Sequence, residues 1–402
     1  MKVNPIGNFR LHPLLKGLLP LFVLAHFLHH LYTALLVPLL PLIRNEFALD
    51  YTKSGLLLSV FSLTYGISHL PAGWLADRIG ARILITIAIC GVALAGLLVG
   101  FSQTYIMMLG SLALMGLLGG GYHTTSPPLI SASASKNTKG RALGVHLIGG
   151  SFSFFLAPLI AAAIAVALGW RAPFLILAIP SIAFGAIFYI ILGRLSGKIS
   201  YNPKPKSMVD DKSQKSSHHL VPFIILATFT AAVLFSTISF IPLFLVDNFG
   251  LTEEAAAAFI AVIYLAGLVA SPLGGYLSDR FGRVAVLLTA SFVAGPIIYM
   301  LDIASFSVGI IFILIFIGII LYMPQPASEA YIVDQVSSQR RSSILGIYFS
   351  GGILGSSAII PLLGYSIDNY GFTTSFTITG VALVAVTLIC SIWLLKIAIR
   401  RI

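Results

Sequence analysis

Residues Gly73 to Gly80 read Gly-Trp-Leu-Ala-Asp-Arg-Ile-Gly, and residues Gly275 to Gly282 read Gly-Tyr-Leu-Ser-Asp-Arg-Phe-Gly. The second stretch follows the first at an offset of 202 residues, and the pair Gly149-Gly150 recurs as Gly351-Gly352 at the same offset. One offset that holds over so long a stretch indicates two copies of one structural unit. We expect the glycine pairs to lie where helices pack closely.

The composition around these motifs is that of a membrane protein. Of 402 residues, 58% are hydrophobic and 9% are charged, whereas a soluble globular chain has about 25% charged residues. Apolar stretches of about 20 residues, the length of a helix that crosses a bilayer, recur along almost the whole chain. Helices are required there because the backbone must satisfy its own hydrogen bonds in lipid. We therefore predict an all-α polytopic membrane protein with twelve transmembrane helices, numbered spans 1 to 12 in chain order. They lie at about 15–43, 54–75, 83–101, 105–133, 142–168, 172–193, 221–246, 255–277, 284–303, 306–333, 342–367 and 373–395.

The basic residues predict how these helices are oriented. If the N-terminus is cytoplasmic, all of the 24 Lys and Arg residues except Arg44, Lys53 and Arg171 fall on the cytoplasmic side, as the positive-inside rule requires. We predict an integral protein of the plasma (inner) membrane with both termini in the cytoplasm. The formal net charge of +11 then describes a surface that meets anionic lipid headgroups and does not indicate a nucleic-acid site.

A polar stretch divides the chain. Residues 194–219 contain Pro203, Pro205 and a run rich in Ser and Lys, a composition typical of a flexible linker. We predict an N-terminal half at 1–193, a cytoplasmic linker at 194–219 and a C-terminal half at 220–402, with six helices in each half. Such halves are parallel repeats, related by an axis along the membrane normal.

The repeated motif resembles one that marks the major facilitator superfamily of transporters, glycine-x-leucine-alanine-aspartate-arginine-x-glycine-x-arginine between spans 2 and 3. The match runs from Gly73 to Arg82, with a second copy from Gly275 to Arg283. The resemblance implies the major facilitator fold and a latch between the cytoplasmic ends of the halves, in which Arg141 is a candidate partner. Asp77 and Arg78 are the residues expected to form this latch, and Gly73 and Gly80 are expected to allow close helix approach and a tight turn. The full set of gating and motif residues is Gly73, Asp77, Arg78, Gly80, Arg82, Arg141, Asp279 and Arg280.

Span 1 carries three histidines. His26, His29 and His30 occupy positions i, i+3 and i+4 near the middle of the span, and residues so spaced share one face of a helix. Ionisable groups at that depth usually face a cavity or another helix. These histidines are therefore candidates for binding a substrate or a proton. The alternative is that they are neutral and hydrogen-bonded to neighbouring helices.

Span 4 is interrupted around another histidine. His123 follows Gly119-Gly120-Gly121 and precedes Pro127-Pro128, and backbone broken at membrane depth is tolerated only against protein or a water-filled cavity. The repeat places Gln325, which lies between two prolines, opposite His123. We therefore predict a cavity shared by these two residues, against the alternative of kinks needed only for packing.

Glu329 is the one acidic residue that lies clearly within a predicted span. A buried carboxyl group binds its proton more tightly and can carry it through a transport cycle. The alternative is that Glu329 pairs with Arg340 or Arg341 at the membrane boundary.

Three segments resemble one branch of this superfamily more specifically. These segments are 26–41, 121–123 and 141–150. They are similar to the fosmidomycin-resistance branch of drug-efflux facilitators, whose members tend to have histidine-x-x-x-aspartate in span 1 and phenylalanine-histidine-proline in span 4. This chain has His30 where the aspartate stands and Thr124 after His123 instead of the proline. The resemblance implies drug efflux, but the proton-antiport mechanism of that branch does not transfer residue by residue.

These features predict a secondary active transporter. An ATP-driven pump needs a phosphate-cradling loop, and a zinc peptidase needs His-Glu-x-x-His; the sequence contains neither pattern. We predict no enzymatic activity, no cofactor and no resident metal, and we expect a monomer. A channel or a non-transporting sensor fits the repeated halves less well than a carrier.

The main hypothesis is proton-coupled efflux of a small organic or drug-like solute, with the coupling an antiport. The alternative is transport of a metal ion or an anionic metabolite, because neutral imidazoles bind Zn, Cu, Fe or Ni and protonated imidazoles attract anions. The substrate, the direction of transport and the stoichiometry are left open by the sequence.

Overall fold

The computed structural model describes residues 18–133, 139–195, 219–303, 308–336 and 341–399, and within them it is almost entirely α-helical with no β-strand. Among these described residues, eleven helical segments are long and apolar enough to cross a membrane. The last of them is two helices that meet at Gly371, whose backbone is not helical. The structure therefore confirms the twelve spans that the sequence predicts.

The first six spans contain the helices Leu19–Thr33 and Leu36–Phe47 (span 1), Tyr51–Ile79 (span 2), Ala81–Gly100 (span 3), Tyr105–Gly119 and Gly121–Ser133 (span 4), Lys139–Leu168 (span 5) and Arg171–Leu195 (span 6). The last six contain Leu220–Phe249 (span 7), Glu253–Phe281 (span 8), Arg283–Ile303 (span 9), Val308–Tyr322 and Pro324–Gln335 (span 10), and Arg341–Ile399 (spans 11 and 12). Span 6 thus runs two residues into the predicted linker, and residues 196–218 lie outside the described part.

The turns between spans repeat at the offset found in the sequence. Residues with positive φ occur in pairs that are 202 residues apart, a match that two unrelated halves would not show. The pairs are Ala48 (50°) with Gly250 (65°), Gly80 (91°) with Gly282 (95°), and Gly169 (79°) with Gly371 (74°). We call the end of the bundle that holds Gly80 and Gly282 the motif end, and the end that holds Ala48 and Gly250 the opposite end.

Helix packing repeats in the same way. Gly116 of span 4 lies against span 2, where a Cβ would meet the carbonyl oxygen of Phe61 at 2.5 Å. Gly318 of span 10 lies against the carbonyl of Ile263 in span 8, and both members of this second contact are 202 residues further along. Glycine is needed at these crossings because a side chain would hold the two backbones apart. Each set of six spans therefore packs span 4 or span 10 tightly across its second helix.

Candidate functional site

Three histidines from two spans meet inside the first six spans. The ring centroids of His26 and His30 lie 4.8 Å apart, and the ring of His123 lies 5.5 Å from His26 and 5.0 Å from His30. His26 and His30 are buried, and His123 is half-buried. The structure thus brings together residues that the sequence selected separately in spans 1 and 4, and their role in binding stays a prediction.

Glycines in span 4 allow His123 to reach this position. The first helix of span 4 ends at Gly119 and the second begins at Gly121. Between them, Gly120 lies so close to span 2 that a Cβ would meet the backbone nitrogen of His69 at 3.1 Å. Span 1 supplies its two rings from one helical turn, because residues four apart in sequence share a face.

His26 is held by a reciprocal contact with His146 of span 5. Nδ1 of His26 lies 3.0 Å from the carbonyl oxygen of His146, and Nδ1 of His146 lies 3.1 Å from the carbonyl oxygen of Phe22. The two rings stack with centroids 4.2 Å apart. Because a carbonyl oxygen only accepts hydrogen bonds, both Nδ1 atoms carry the proton and each Nε2 keeps its lone pair. Nε2 of His26 is buried and has no hydrogen-bond partner among the described residues.

The other two histidines of span 1 are oriented by hydroxyl groups. Nδ1 of His30 lies 3.2 Å from Oγ1 of Thr33, which in turn donates to the carbonyl oxygen of His30. His29 turns toward span 2, where its Nε2 lies 3.1 Å from the hydroxyl of Tyr65, and its ring stacks on Tyr122 at 4.7 Å. His29 therefore belongs to the same cluster but faces a tyrosine on each side.

Two histidines that the predicted site did not include complete the cluster. His146 stacks on His26, as described above, and the ring of His69 stacks against that of His123 with centroids 6.0 Å apart. Nδ1 of His69 lies 2.6 Å from the carbonyl oxygen of Tyr65. The sequence signal was a histidine within an apolar span. To assign these two histidines to the cluster, one would need to know how spans 2 and 5 are rotated about their axes. A single sequence does not contain that information.

The predicted counterparts in the last six spans, Gln325 and Glu329, lie on the second helix of span 10. Gln325 lines a small cavity with Ser328 and Tyr348, and all of the lining comes from spans 7, 9, 10 and 11. His123 is not among the residues that line this small cavity, and a cavity shared by Gln325 and His123 stays a prediction. Glu329 is half-buried and lies close enough to Tyr348 to interact with it electrostatically. The side chains of Arg340 and Arg341, its alternative partners, lie outside the described part.

The Asp-Arg motifs lie at the ends of spans 2 and 8. Arg78 places its guanidinium 4.2 Å from the centre of the Trp74 ring, and Arg82 donates from Nε to the carbonyl oxygen of Tyr189 in span 6 at 2.9 Å. The described contacts of Arg82 thus lie within the first six spans. Asp279 and Arg280 are exposed. The side chains of Asp77 and Arg141 are outside the described part, so the latch stays a prediction.

The glycine pairs lie where span 5 meets span 1 and where span 11 meets span 7. A Cβ on Gly149 would meet Cγ1 of Val23 at 3.2 Å, and one on Gly150 would meet Nε2 of His26 at 2.7 Å. In the second copy, Gly351 lies against Thr228 and Gly352 against Ala231, with corresponding distances of 3.0 Å and 3.7 Å.

Residues that the sequence did not select join the first six spans to the last six at the opposite end. Arg44 of span 1 makes a two-pronged ion pair with Asp247 of span 7, in which Nη2 lies 2.7 Å from Oδ1. The hydroxyl of Tyr51 donates to Asp247 at 2.5 Å. Asp368 of span 11 accepts from the backbone N–H groups of Tyr51 and Thr52 at 2.8 Å each, at the start of span 2. We call these residues the opposite-end closure.

Comparison with known proteins places the chain among transporters. The model of the family described as Major Facilitator Superfamily matches residues 22–324 and 223–400. The chain is similar over its length to the Fosmidomycin resistance protein of Escherichia coli (strain K12), with 24% identity over 83% of this chain and 82% of that protein.

Two further relatives differ from each other in what their names describe. The Multidrug resistance protein MdtG of Enterobacter lignolyticus (strain SCF1) is 28% identical over 86% of this chain and 85% of its own length. The Hexuronate transporter of Bacillus subtilis (strain 168) is 23% identical over 85% of each chain.

A solved structure supports the fold. A bacterial homologue of the human lysosomal transporter Spinster, in an inward-facing and occupied conformation, superposes with a TM-score of 0.79 at 16% identity, over 96% of this chain and 97% of that one. At that identity the likeness concerns the arrangement of the helices.

Proposed function

The chain belongs to the Major Facilitator Superfamily, and we propose that it is a secondary active transporter that exports a small organic or drug-like solute in exchange for protons. It is a transporter and not an enzyme, as its family and its fold agree. The relatives named for drug resistance support an organic solute as the cargo. The observation that carries the proton coupling is the histidine cluster between spans 1, 2, 4 and 5.

Imidazole is suited to proton coupling. It titrates near pH 6.5 in water, so burial or a neighbouring charge moves its proton affinity across the physiological range. In this proposal His26, His29, His30 and His123 bind the proton or the solute, and Gln325 and Glu329 act from the last six spans. Glu329 is the second candidate for the proton, because it is a half-buried carboxyl group within a span.

Alternating access is the proposed mechanism. The opposite-end closure joins the two sets of spans through Asp247 and Asp368, which supports a state sealed at that end. With both termini and the motif end in the cytoplasm, this state is sealed toward the outside. Transport then requires two bodies, 1–193 and 220–402, to rock apart at one end while the Asp77 latch closes the other. We propose that one monomer in the plasma membrane, among anionic headgroups, suffices.

A second candidate cargo is an anionic metabolite. The relative named as a hexuronate transporter covers 85% of this chain, and the two drug-resistance relatives cover 83% and 86%. Protonated imidazoles attract carboxylates, so the same cluster could hold a sugar acid.

Flux into proteoliposomes separates these candidates. The purified chain is reconstituted, a pH gradient with an acidic lumen is imposed, and uptake of labelled fosmidomycin and galacturonate is followed. We expect fosmidomycin to accumulate against its gradient and a protonophore to abolish the accumulation. Accumulation of galacturonate alone would replace the first candidate with the second. Saturable fosmidomycin counterflow that does not depend on the pH gradient would overturn the proton coupling. It would still support the conclusion that the protein is a carrier.

A further inference from the structure

The histidine cluster has the composition and spacing of a metal site, and we propose that His26, His30 and His123 bind a divalent transition-metal ion. This inference goes beyond drug export and concerns the same histidines as the proposed proton site. Because an imidazole nitrogen must be unprotonated to bind a metal, the ion and the proton would compete for it. It also departs from the sequence prediction of no resident metal. Spans 1 and 4 would be joined through the ion.

The geometry requires little movement of the rings. One ring nitrogen from each of the three histidines lies within 4.8 Å of the other two. A point equidistant from three atoms that far apart lies about 2.8 Å from each, whereas zinc binds imidazole nitrogen at about 2.0–2.1 Å. Each nitrogen must therefore move by less than about 1 Å, which a small rotation of the side chain provides.

The hydrogen bonds around the rings are those of metal-binding histidines. Such a histidine donates its other N–H to a carbonyl, carboxylate or similar acceptor, which fixes the tautomer and the ring orientation. Nδ1 of His26 donates to the carbonyl oxygen of His146, and Nδ1 of His30 lies next to Oγ1 of Thr33. Both contacts leave Nε2 with its lone pair, the form in which imidazole binds a metal.

A buried nitrogen without a partner is the second, independent observation. Nε2 of His26 is buried and has no hydrogen-bond partner among the described residues. Leaving a buried acceptor unpaired is unfavourable, and histidines kept only for packing would usually be paired. Gly150 lies beside this nitrogen without a side chain to cover it.

The ligand types select the class of ion. The described metal-ligating group contains three histidines and no Asp or Glu. Imidazole suits Zn, Cu, Fe and Ni, whereas Mg²⁺ and Ca²⁺ prefer oxygen ligands. Three protein ligands leave a fourth position for water or an anion. An anion there would offset the charge of an ion held within the membrane.

The test measures zinc binding by the full chain, purified without a polyhistidine tag. Isothermal titration with ZnCl₂ should give one ion per chain, and MgCl₂ should give no binding. Zinc should also raise the melting temperature, because it binds the folded state. The variants His26→Gln, His30→Gln and His123→Gln should each weaken zinc binding at least tenfold. The control is His219→Gln, which removes a histidine at the start of span 7 and outside the cluster, and it should keep wild-type affinity.

A measurement on the wild-type chain guards against variants that fail to fold. Cobalt(II) bound by three imidazoles in a tetrahedral site gives strong visible absorption bands, and zinc should displace them. The proposal is overturned if the wild-type chain binds zinc no better than magnesium, or if cobalt gives only the weak spectrum of the hydrated ion. It is also overturned if folded His30→Gln and His123→Gln bind zinc as the wild type does.

Discussion

The hydrogen-bond partner of one ring nitrogen determines whether the other ring nitrogen of each histidine in span 1 is available to bind. His26 and His30 each place Nδ1 against an oxygen and leave Nε2 available, whereas His29 uses its Nε2 to contact the hydroxyl of Tyr65. Three histidines within one and a half turns of the same helix therefore have different chemistry. A pattern of spacing alone treats them as equivalent.

We predict that His123→Gln abolishes the dependence of fosmidomycin flux on the pH gradient. Glutamine keeps a polar side chain but does not titrate, so the exchange of a proton at this position is lost. The measurement is accumulation in proteoliposomes with and without the gradient. His219→Gln, at the start of span 7 and outside the cluster, serves as the control. Wild-type pH dependence in His26→Gln, His30→Gln and His123→Gln alike would mean that these histidines are structural.

The helices and turns of this protein differ in how far they can be predicted from the sequence. The twelve spans and the turns at Gly80 and Gly282 follow from apolar length and a repeated motif, both of which are local properties. The ion pair between Arg44 and Asp247 joins residues 203 positions apart, and neither has a pattern that indicates the other. The contacts of His69 and His146 depend on how spans 2 and 5 are rotated. Local sequence does not determine that rotation.

Close helix crossings give a prediction at the level of elements. In Gly116→Ala the new Cβ would lie 2.8 Å from the backbone nitrogen of Tyr65 in span 2, so spans 2 and 4 must separate. Overpacking of this kind typically destabilises by about 1–3 kcal/mol. We expect a lower melting temperature in detergent. Gly110→Ala, in the same span but with no atom within 4 Å of its Cβ, should not lower the melting temperature, because alanine favours a helix more than glycine does. An equal loss in the two variants would contradict the importance of this close crossing.

At the level of the whole molecule, the opposite-end closure links the first six spans to the last six. The carboxylate of Asp247 accepts from Arg44 and Tyr51, and Asp368 accepts from the first N–H groups of span 2. Ser59 of span 2 donates to the carbonyl oxygen of Ser357 in span 11 at 2.5 Å, so the contact continues toward the middle of the bundle. Under the proposed alternating-access mechanism, these contacts must break in each transport cycle.

We therefore predict that Asp247→Asn shifts the equilibrium toward the state that is open at this end. A cysteine at Ser59, in a chain with Cys90 and Cys390 replaced by alanine, should react faster with an impermeant thiol reagent. A change of about 1.4 kcal/mol in the equilibrium corresponds to about tenfold in rate. The control is Glu46→Gln, which breaks an ion pair with Arg171 within the first six spans. Equal labelling rates in Asp247→Asn and the control would show that the pair with Arg44 does not hold the closure.

The distance between the two sets of spans at each end tests alternating access most directly. Spin labels at Leu70 and Ile347, toward the motif end, and at Lys53 and Asn369, at the opposite end, all occupy exposed positions. Double electron–electron resonance in lipid measures the distance between the two labels of each pair. Measured at pH values above and below the range in which imidazole titrates, each pair should show two populations of distances. We predict that the motif-end distance shortens as the opposite-end distance lengthens. A single distance at both ends, unchanged by pH and by added fosmidomycin, would contradict a carrier that alternates between two states.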